Sequence, residues 1–144
     1  MTDNDLFYVC ALIEYTARRT KNRRRVVASA LGVSGIKKQL KDASVNHCLS
    51  FEQVSDEIIE TYSIPNGSFD TISGMKYSVP DFQSIGKLYA IIIQDLAEDG
   101  DLASVAFNVF TSFLSDEISD FSTDLYYQNQ SYLEESYKAG MLLP

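Results

Sequence analysis

The stretch "DFQSIGKLYAIIIQDLAEDG", residues 81–100, contains the longest strongly apolar run of the chain and decides its fold class. Its apolar residues recur at every third or fourth position, which is the spacing of one helical face. The positions on this stripe are Phe82, Ile85, Leu88, Tyr89, Ile92 and Leu96. Because Ile91 and Ile93 widen the stripe over most of the circumference, we predict a central, largely buried helix. Pro80 is expected to open it and Gly100 to end it.

The same spacing predicts helices on both sides of this stretch. They cover residues 5–19, about 23–31, 34–42, about twelve residues after Ser50, a segment with a broad apolar face over 102–114, and 132–139. Their predicted N-caps are Asn22, Ser34, Ser50 (in a capping box with Gln53), Asp101 and Ser131, and their predicted stops include Gly32 and Gly140.

Residues 64–80 are rich in turn-forming types and form the longest predicted loop, with a short extended piece around 75–79. Period-two alternation is nearly absent from the chain, so a sheet is not expected. The predicted fold is therefore all-α. It is a single domain over residues 1–144, a bundle of six or seven helices with one longer loop near 64–80.

The chain has 144 residues and a net charge of -8, and this charge is unevenly divided. Residues 1–42 carry nine Lys and Arg against four acids, whereas residues 43–144 carry three against sixteen. The longest apolar run is far shorter than the roughly 20 residues of a membrane span. The acidic start "MTDND" is unlike a signal peptide, and two cysteines make no disulfide framework. We expect a cytoplasmic protein that does not enter a membrane.

The basic segment "RRTKNRRR", residues 18–25, supplies the first candidate contact residues. They are Arg18, Arg19, Lys21, Arg23, Arg24 and Arg25. Three arginines in the first turn of a helix oppose its dipole, each at about 0.3–1 kcal/mol, so 23–25 should face an anion. That anion is nucleic acid, an acidic partner or the protein's own acidic half. A protein acid is favoured because a net charge of -8 repels DNA at long range.

Residues 28–40 partly match two motifs of nucleic-acid-binding proteins. A helix-turn-helix aligned on Gly32 places Ala28 correctly but puts Lys38 where an apolar anchor is needed. The sequence "GVSG" at 32–35 resembles the backbone clamp of KH domains, but its middle residues are not basic. A DNA-binding regulator that uses residues 18–41 therefore remains the alternative to a protein-binding module.

The sequence predicts no catalytic, cofactor-binding or metal-binding residues, and an enzyme whose catalytic residues form no recognised motif is the third alternative. The only histidine, His47, is adjacent to Cys48, and neighbouring side chains point apart. Cys10 falls on an apolar helical stripe and is expected in the core, and the three residues lack the paired spacing of a zinc site. No phosphate loop, dinucleotide fingerprint or H-E-x-x-H motif is present.

The C-terminal part is acidic and rich in tyrosine, a residue type enriched at binding hot spots. The interface candidates are Tyr126, Tyr127, Tyr132 and Tyr137. The alternative is that these rings cover the core with their hydroxyls in water. Both readings suit a protein whose partner is another protein, and a homo-oligomer is compatible with the same pattern.

Several segments resemble an uncharacterised family of small helical bacterial proteins associated with loci of ADP-ribosyltransferase-like toxins. These segments are "DLFYVCALIEYTARRTKNRRRVV" (5–27), "NHC" (46–48), "VSDEI" (54–58), "KYSVP" (76–80) and "YYQNQSYL" (126–133). The resemblance implies a non-enzymatic accessory or toxin-neutralising partner, that is, a candidate antitoxin. It brings no catalytic residues that could be carried over to this chain.

Overall fold

In the computed structural model, residues 3–75 and 78–144 are described, and all their regular structure is helical. This part of the chain forms seven α-helices and one short 3-10 turn, Leu125–Tyr127. The helices are α1 (Asp3–Thr20), α2 (Arg24–Asn46), α3 (Phe51–Thr61), α4 (Phe82–Ala97), α5 (Leu102–Phe110), α6 (Phe113–Ile118) and α7 (Gln130–Ala139). The all-α prediction is confirmed, and the longest connection is the predicted loop between α3 and α4.

Helices α1 and α4 form the centre of the bundle. They pack against each other, while α1 also contacts α2 and α3 and α4 contacts α5 and α7. Ile85, Tyr89, Ile92 and Ile93 of α4 are fully buried, as the sequence predicts. The two helices approach closely at Gly86, where an added Cβ would lie 2.6 Å from the backbone nitrogen of Ala11.

Three predicted helix ends are confirmed by their hydrogen bonds or backbone angles. The Ser50 hydroxyl accepts from the Gln53 amide at 3.1 Å, and the Gln53 side chain accepts from the Ser50 amide, so the capping box is complete. The carboxylate of Asp101 caps α5 by accepting from the amide of residue 103 at 3.0 Å. Gly140 follows α7 with φ at 79°, a left-handed conformation that glycine adopts without strain.

Three other predicted helix starts are wrong. Arg23, and not Asn22, is the N-cap residue of α2, and it makes no side-chain cap. Asp81 caps α4 one residue after Pro80. Asn129 caps α7 by accepting from the amide of Ser131, the residue predicted as the cap. At α4 and α7 a polar side chain near the predicted residue makes the cap, whereas α2 begins without a side-chain cap.

The predicted break at Gly32 is confirmed as a kink at which two helical segments of α2 meet. Gly32 has φ 69° and ψ 174°, whereas the flanking residues of α2 are helical, and the helix runs on to Asn46. The predicted helix over 102–114 is divided in two, because the Ser112 hydroxyl accepts from the Leu114 amide and starts α6. The extended piece predicted at 75–79 includes 76–77, which lie outside the described residues.

The first half of the loop between α3 and α4 is bound to the turn between α1 and α2. The amide of Gly67 donates to the Thr20 carbonyl at 2.8 Å, and the amide of Phe69 donates to the Lys21 carbonyl at 2.8 Å. Asn22 is buried, and its side-chain amide donates to the Pro65 carbonyl at 2.6 Å. These bonds hold the loop on the helical pair and place Thr71 beside the basic segment.

Candidate functional site

The basic segment contains a fully buried ion pair between α1 and α2. Arg24 has no exposed surface and Glu14 is 1% exposed. The Arg24 Nε donates to Glu14 Oε1 at 2.8 Å, its Nη2 donates to the other carboxylate oxygen, and Arg18 Nε reaches that oxygen at 2.7 Å. Burial alone raises the pKa of Glu14, but the guanidiniums of Arg24 and Arg18 more than offset it, so the pKa is lowered.

The remaining arginines of the segment are also paired within the chain. Arg23 lies 3.3 Å from Asp116 on α6 and stacks over the ring of Phe69, and Arg25 donates to the same carboxylate. Arg19 pairs with Asp56 of α3 at 2.5 Å. The anions opposite Arg23, Arg24 and Arg25 are therefore the protein's own carboxylates.

Two members of the segment differ from the others in position. Arg24 is buried, so the anion that it was predicted to face is Glu14 of its own chain and not an outside partner. Lys21 is exposed in the turn after α1, where its φ of 56° is unusual for a residue with a side chain. The segment therefore serves mainly to join α1, α2, α3 and α6.

The four predicted interface tyrosines separate into two pairs. Tyr126 and Tyr127 lie on the 3-10 turn with ring centroids 5.0 Å apart, and Tyr127 is 71% exposed. Tyr132 and Tyr137 lie on α7, are partly buried and pack against the core. The Tyr132 hydroxyl donates to the Leu143 carbonyl at 2.8 Å, so this tyrosine acts within the fold.

Tyr127 lies between two surface grooves, and a third groove adjoins the second. The first groove, about 590 Å³, lies between α4 and the start of α7, and Tyr126 and Tyr127 line it with Ile91. The second, about 330 Å³, shares Tyr127 with the first. The third, about 310 Å³, shares Phe121 with the second. The segment 119–130 thus contributes to all three grooves, which together we name the connector surface.

The connector surface carries an excess of negative charge. Four of its carboxylates form no ion pair with any residue among 3–75 and 78–144, and they are Asp70, Glu117, Asp120 and Asp124. Its cations are Lys87 and Arg23, and Arg23 is already paired with Asp116. Backbone amides of Ser73 and Ile72 hold the pKa of Asp70 near 2, so it stays ionised at all moderate pH values.

The lysines of the alternative DNA-binding segment line a separate groove of about 620 Å³. Lys37, Lys38 and Lys41 surround it together with Asp5 and Asp42, and Lys38 pairs with Asp42 at 2.7 Å. The "GVSG" sequence is not a free loop, because it lies at and after the kink of α2, where residue 35 is buried. The geometry of a KH-type clamp is therefore not formed there.

The structure separates the three residues considered as zinc ligands. Cys10 is buried in the core, as predicted, and burial raises the pKa of its thiol well above the usual range. Cys48 is exposed and next to His47 in sequence. Over residues 3–75 and 78–144, no group of three His, Cys, Asp or Glu side chains is arranged to hold a metal ion. None of the helices described is long and apolar enough to cross a membrane.

Sequence reasoning did not identify Glu14, Asp116 and Phe121 as members of these sites. Glu14 interrupts the apolar face of α1, and its i,i+4 spacing to Arg18 was a usable signal for that one contact. Asp116 and Phe121 are brought to the basic segment and the grooves only by the packing of α2 against α6. Comparison of the chain with protein-family models, with curated proteins and with solved structures gave no match.

Proposed function

We propose that this protein is a non-enzymatic, cytoplasmic accessory protein that binds a basic protein through its connector surface. The observation that carries the proposal is the position of Tyr127. This ring is 71% exposed between two grooves. An exposed large aromatic side chain flanked by concave surface has the shape of a binding hot spot rather than of a core residue.

The charge of the connector surface supports a basic partner. Four carboxylates without ion pairs among the described residues face solvent or line grooves, against one unpaired ammonium group, Lys87. Complementary charge accelerates encounter and disfavours acidic partners. The amide side chains of 128–130 lie beside Tyr127 and can form hydrogen bonds to a partner's backbone.

The sequence resemblance supports a narrower form of the proposal. A companion of an ADP-ribosyltransferase-like toxin would neutralise it by binding, which needs a surface and no catalytic group. On this proposal the basic partner is the toxin itself, and the protein is an antitoxin. The narrower form depends on the resemblance alone.

The proposal is tested by recovering the partner from the native cell and titrating it against matched variants. Tyr127→Ala should weaken binding about 30-fold, the loss of a hot spot near 2 kcal/mol. Met141→Ala is its control, because Met141 is 63% exposed but does not line the three grooves. Recovery of no stoichiometric partner, or unchanged affinity in Tyr127→Ala, would count against the proposal.

The contribution of the acidic residues of the connector surface to binding is tested with two double variants. Asp124→Asn combined with Glu117→Gln should slow association and reduce its salt dependence. Glu57→Gln combined with Glu60→Gln removes the same charge from the exposed face of α3 and should leave both unchanged. Equal effects of the two pairs would show that only net charge matters and would contradict the assigned surface.

A DNA-binding regulator is the second candidate function. It is favoured by the groove of about 620 Å³ that Lys37, Lys38 and Lys41 surround, which we name the lysine groove. Lys37, Lys38 and Lys41 are exposed around one concavity, whereas the arginines of 18–25 are held by internal acids. Neutralising the three lysines should abolish DNA binding and its steep salt dependence. DNA binding that is absent in the wild type, or insensitive to salt, excludes this candidate.

A further inference from the structure

An aromatic groove of about 460 Å³ lies on a face that the proposed function does not use. It is formed by the first half of α1, the turn between α2 and α3, and the first residues of α3 and α4. It shares no lining residue with the three grooves of the connector surface or with the lysine groove. Its volume lies within the range of small-molecule sites.

The walls of this groove are flat rings in mutual contact. The ring of Tyr8 lies 4.6 Å from that of His47 and 5.1 Å from that of Phe51, with the Phe51 ring tilted by only 24°. Phe7, Ala11 and Leu49 are the other apolar lining residues, and Leu49 is 43% exposed. Flat walls of this kind favour a planar ligand, because offset and tilted ring contacts add to the burial of apolar area.

One wall residue holds a hydrogen-bond donor that has no acceptor. Tyr8 is 95% buried, and its hydroxyl has no hydrogen-bond partner within the described part of the chain. Burial raises the pKa of Tyr8, so the hydroxyl keeps its proton at neutral pH. A buried polar group without a partner is uncommon and calls for an explanation. The hydroxyl oxygen is itself buried, so a ligand that offers an acceptor atom would satisfy it once the Tyr8 side chain turns the hydroxyl toward the groove.

The charge of the lining indicates the charge of the ligand. No Asp, Glu, Lys or Arg is among the described residues that line the groove. Its other polar groups are the imidazole of His47 and the neutral amides of Asn4 and Gln83. A charged ligand would find no counter-ion there, whereas a neutral one would lose little on leaving water.

We propose that this groove binds a small, neutral, planar heteroaromatic molecule. Its ring packs against Tyr8, His47 and Phe51, and its acceptor atom accepts a hydrogen bond from the Tyr8 hydroxyl. The amides of Asn4 and Gln83 lie at the exposed rim, where they can bind polar substituents. The groove shares no lining residue with the connector surface, so this proposal and the proposed function can each be wrong without the other.

The single histidine provides a direct readout of the groove. The ring signals of His47 in a proton–carbon NMR spectrum are unique in this chain. Quinoline, whose ring nitrogen is an acceptor, and 1-methylindole, which has neither an N–H donor nor a ring-nitrogen acceptor, serve as the two probes at pH 7.5. Both should shift the His47 signals saturably with a millimolar Kd or tighter.

Three variants then assign the contacts. Tyr8→Phe should weaken quinoline about fivefold, the effect of one lost hydrogen bond, and leave 1-methylindole within twofold. His47→Ala should weaken both probes, which saturation-transfer NMR measures without the histidine signal. Tyr15→Phe is the matched control, because Tyr15 lies on the same helix and does not line the groove.

The outcomes distinguish specific binding in the groove from non-specific binding of the probes. Loss of quinoline binding that is selective in Tyr8→Phe and absent in Tyr15→Phe supports the proposal. Failure of both probes to shift the His47 signals overturns it. Equal weakening of quinoline and 1-methylindole by Tyr8→Phe also overturns it, because the hydroxyl would then not be donating to the ring nitrogen of quinoline.

Discussion

Replacing Glu14 by Gln tests whether the buried ion pair holds α1 and α2 together. The glutamine side chain has the size of glutamate but no charge, so Arg24 would stay buried without its counter-ion. Arg24 has no exposed surface, and its Nη1 already lacks a partner among the described residues. Arg18 would tolerate the loss of the Glu14 charge better than Arg24, because its side chain is 17% exposed and donates to the Pro80 carbonyl.

The expected loss follows from the burial of the pair. Removing one partner of a buried ion pair costs about 3–5 kcal/mol, because the remaining charge is left uncompensated. Proteins of this size have a free energy of unfolding of about 5–15 kcal/mol, so the loss is a large fraction of the total. With a urea m-value of about 2 kcal/mol/M, the unfolding midpoint of Glu14→Gln at pH 7 should fall by about 1.5–2.5 M.

A matched surface variant and a double variant complete the test. Asp56→Asn breaks the exposed pair with Arg19 and should cost at most about 1 kcal/mol. Glu14→Leu combined with Arg24→Met removes both buried charges and should be more stable than either single substitution. A midpoint change below about 0.5 M in Glu14→Gln, or a double variant as unstable as the two losses added, would refute the reasoning.

Two further predictions concern α4. The protonated Glu134 of α7 hydrogen-bonds to Asp95 of α4, and burial together with this carboxylate raises the pKa of Glu134 from 4.5 to about 7. Its stabilising contribution is therefore complete below pH 4.5 and lost as the pH rises through 7, so urea midpoints of Glu134→Gln should lose this pH dependence. Gly86→Ala should destabilise by about 1–3 kcal/mol in thermal unfolding because the new methyl group meets the α1 backbone, whereas Gly35→Ala meets side chains at 3.1 Å and should cost less.

Local chemistry explains which helix ends could be predicted. Ser50 and Asp101 cap helices through bonds to residues two or three positions away, so the sequence contains both partners. Asn22 failed as a cap because the loop offers it a distant acceptor, the Pro65 carbonyl. The division between α5 and α6 was missed because apolar residues continue at helical spacing across Ser112, while its hydroxyl starts a new helix.

The candidate sites show the same distinction between local and distant information. The unfavourable position of Arg23–Arg25 at a helix start correctly indicated nearby anions, but the identity of the anions depends on tertiary packing. Asp116 is 91 residues from Arg25 in the chain and reaches it only after α6 packs on α2. The exposure of Tyr127 likewise depends on the short 3-10 turn, which leaves no periodic pattern in the sequence.

The bonds between the α3–α4 loop and the α1–α2 turn determine where the chain can be opened by protein engineering. An insertion, a protease site or new chain ends between residues 65 and 69 would break main-chain bonds at Thr20 and Lys21. The same change would remove Phe69 from beneath Arg23. The exposed turn at 98–100, between α4 and α5, makes no comparable bonds to another part of the described chain and is the better position for a reporter tag.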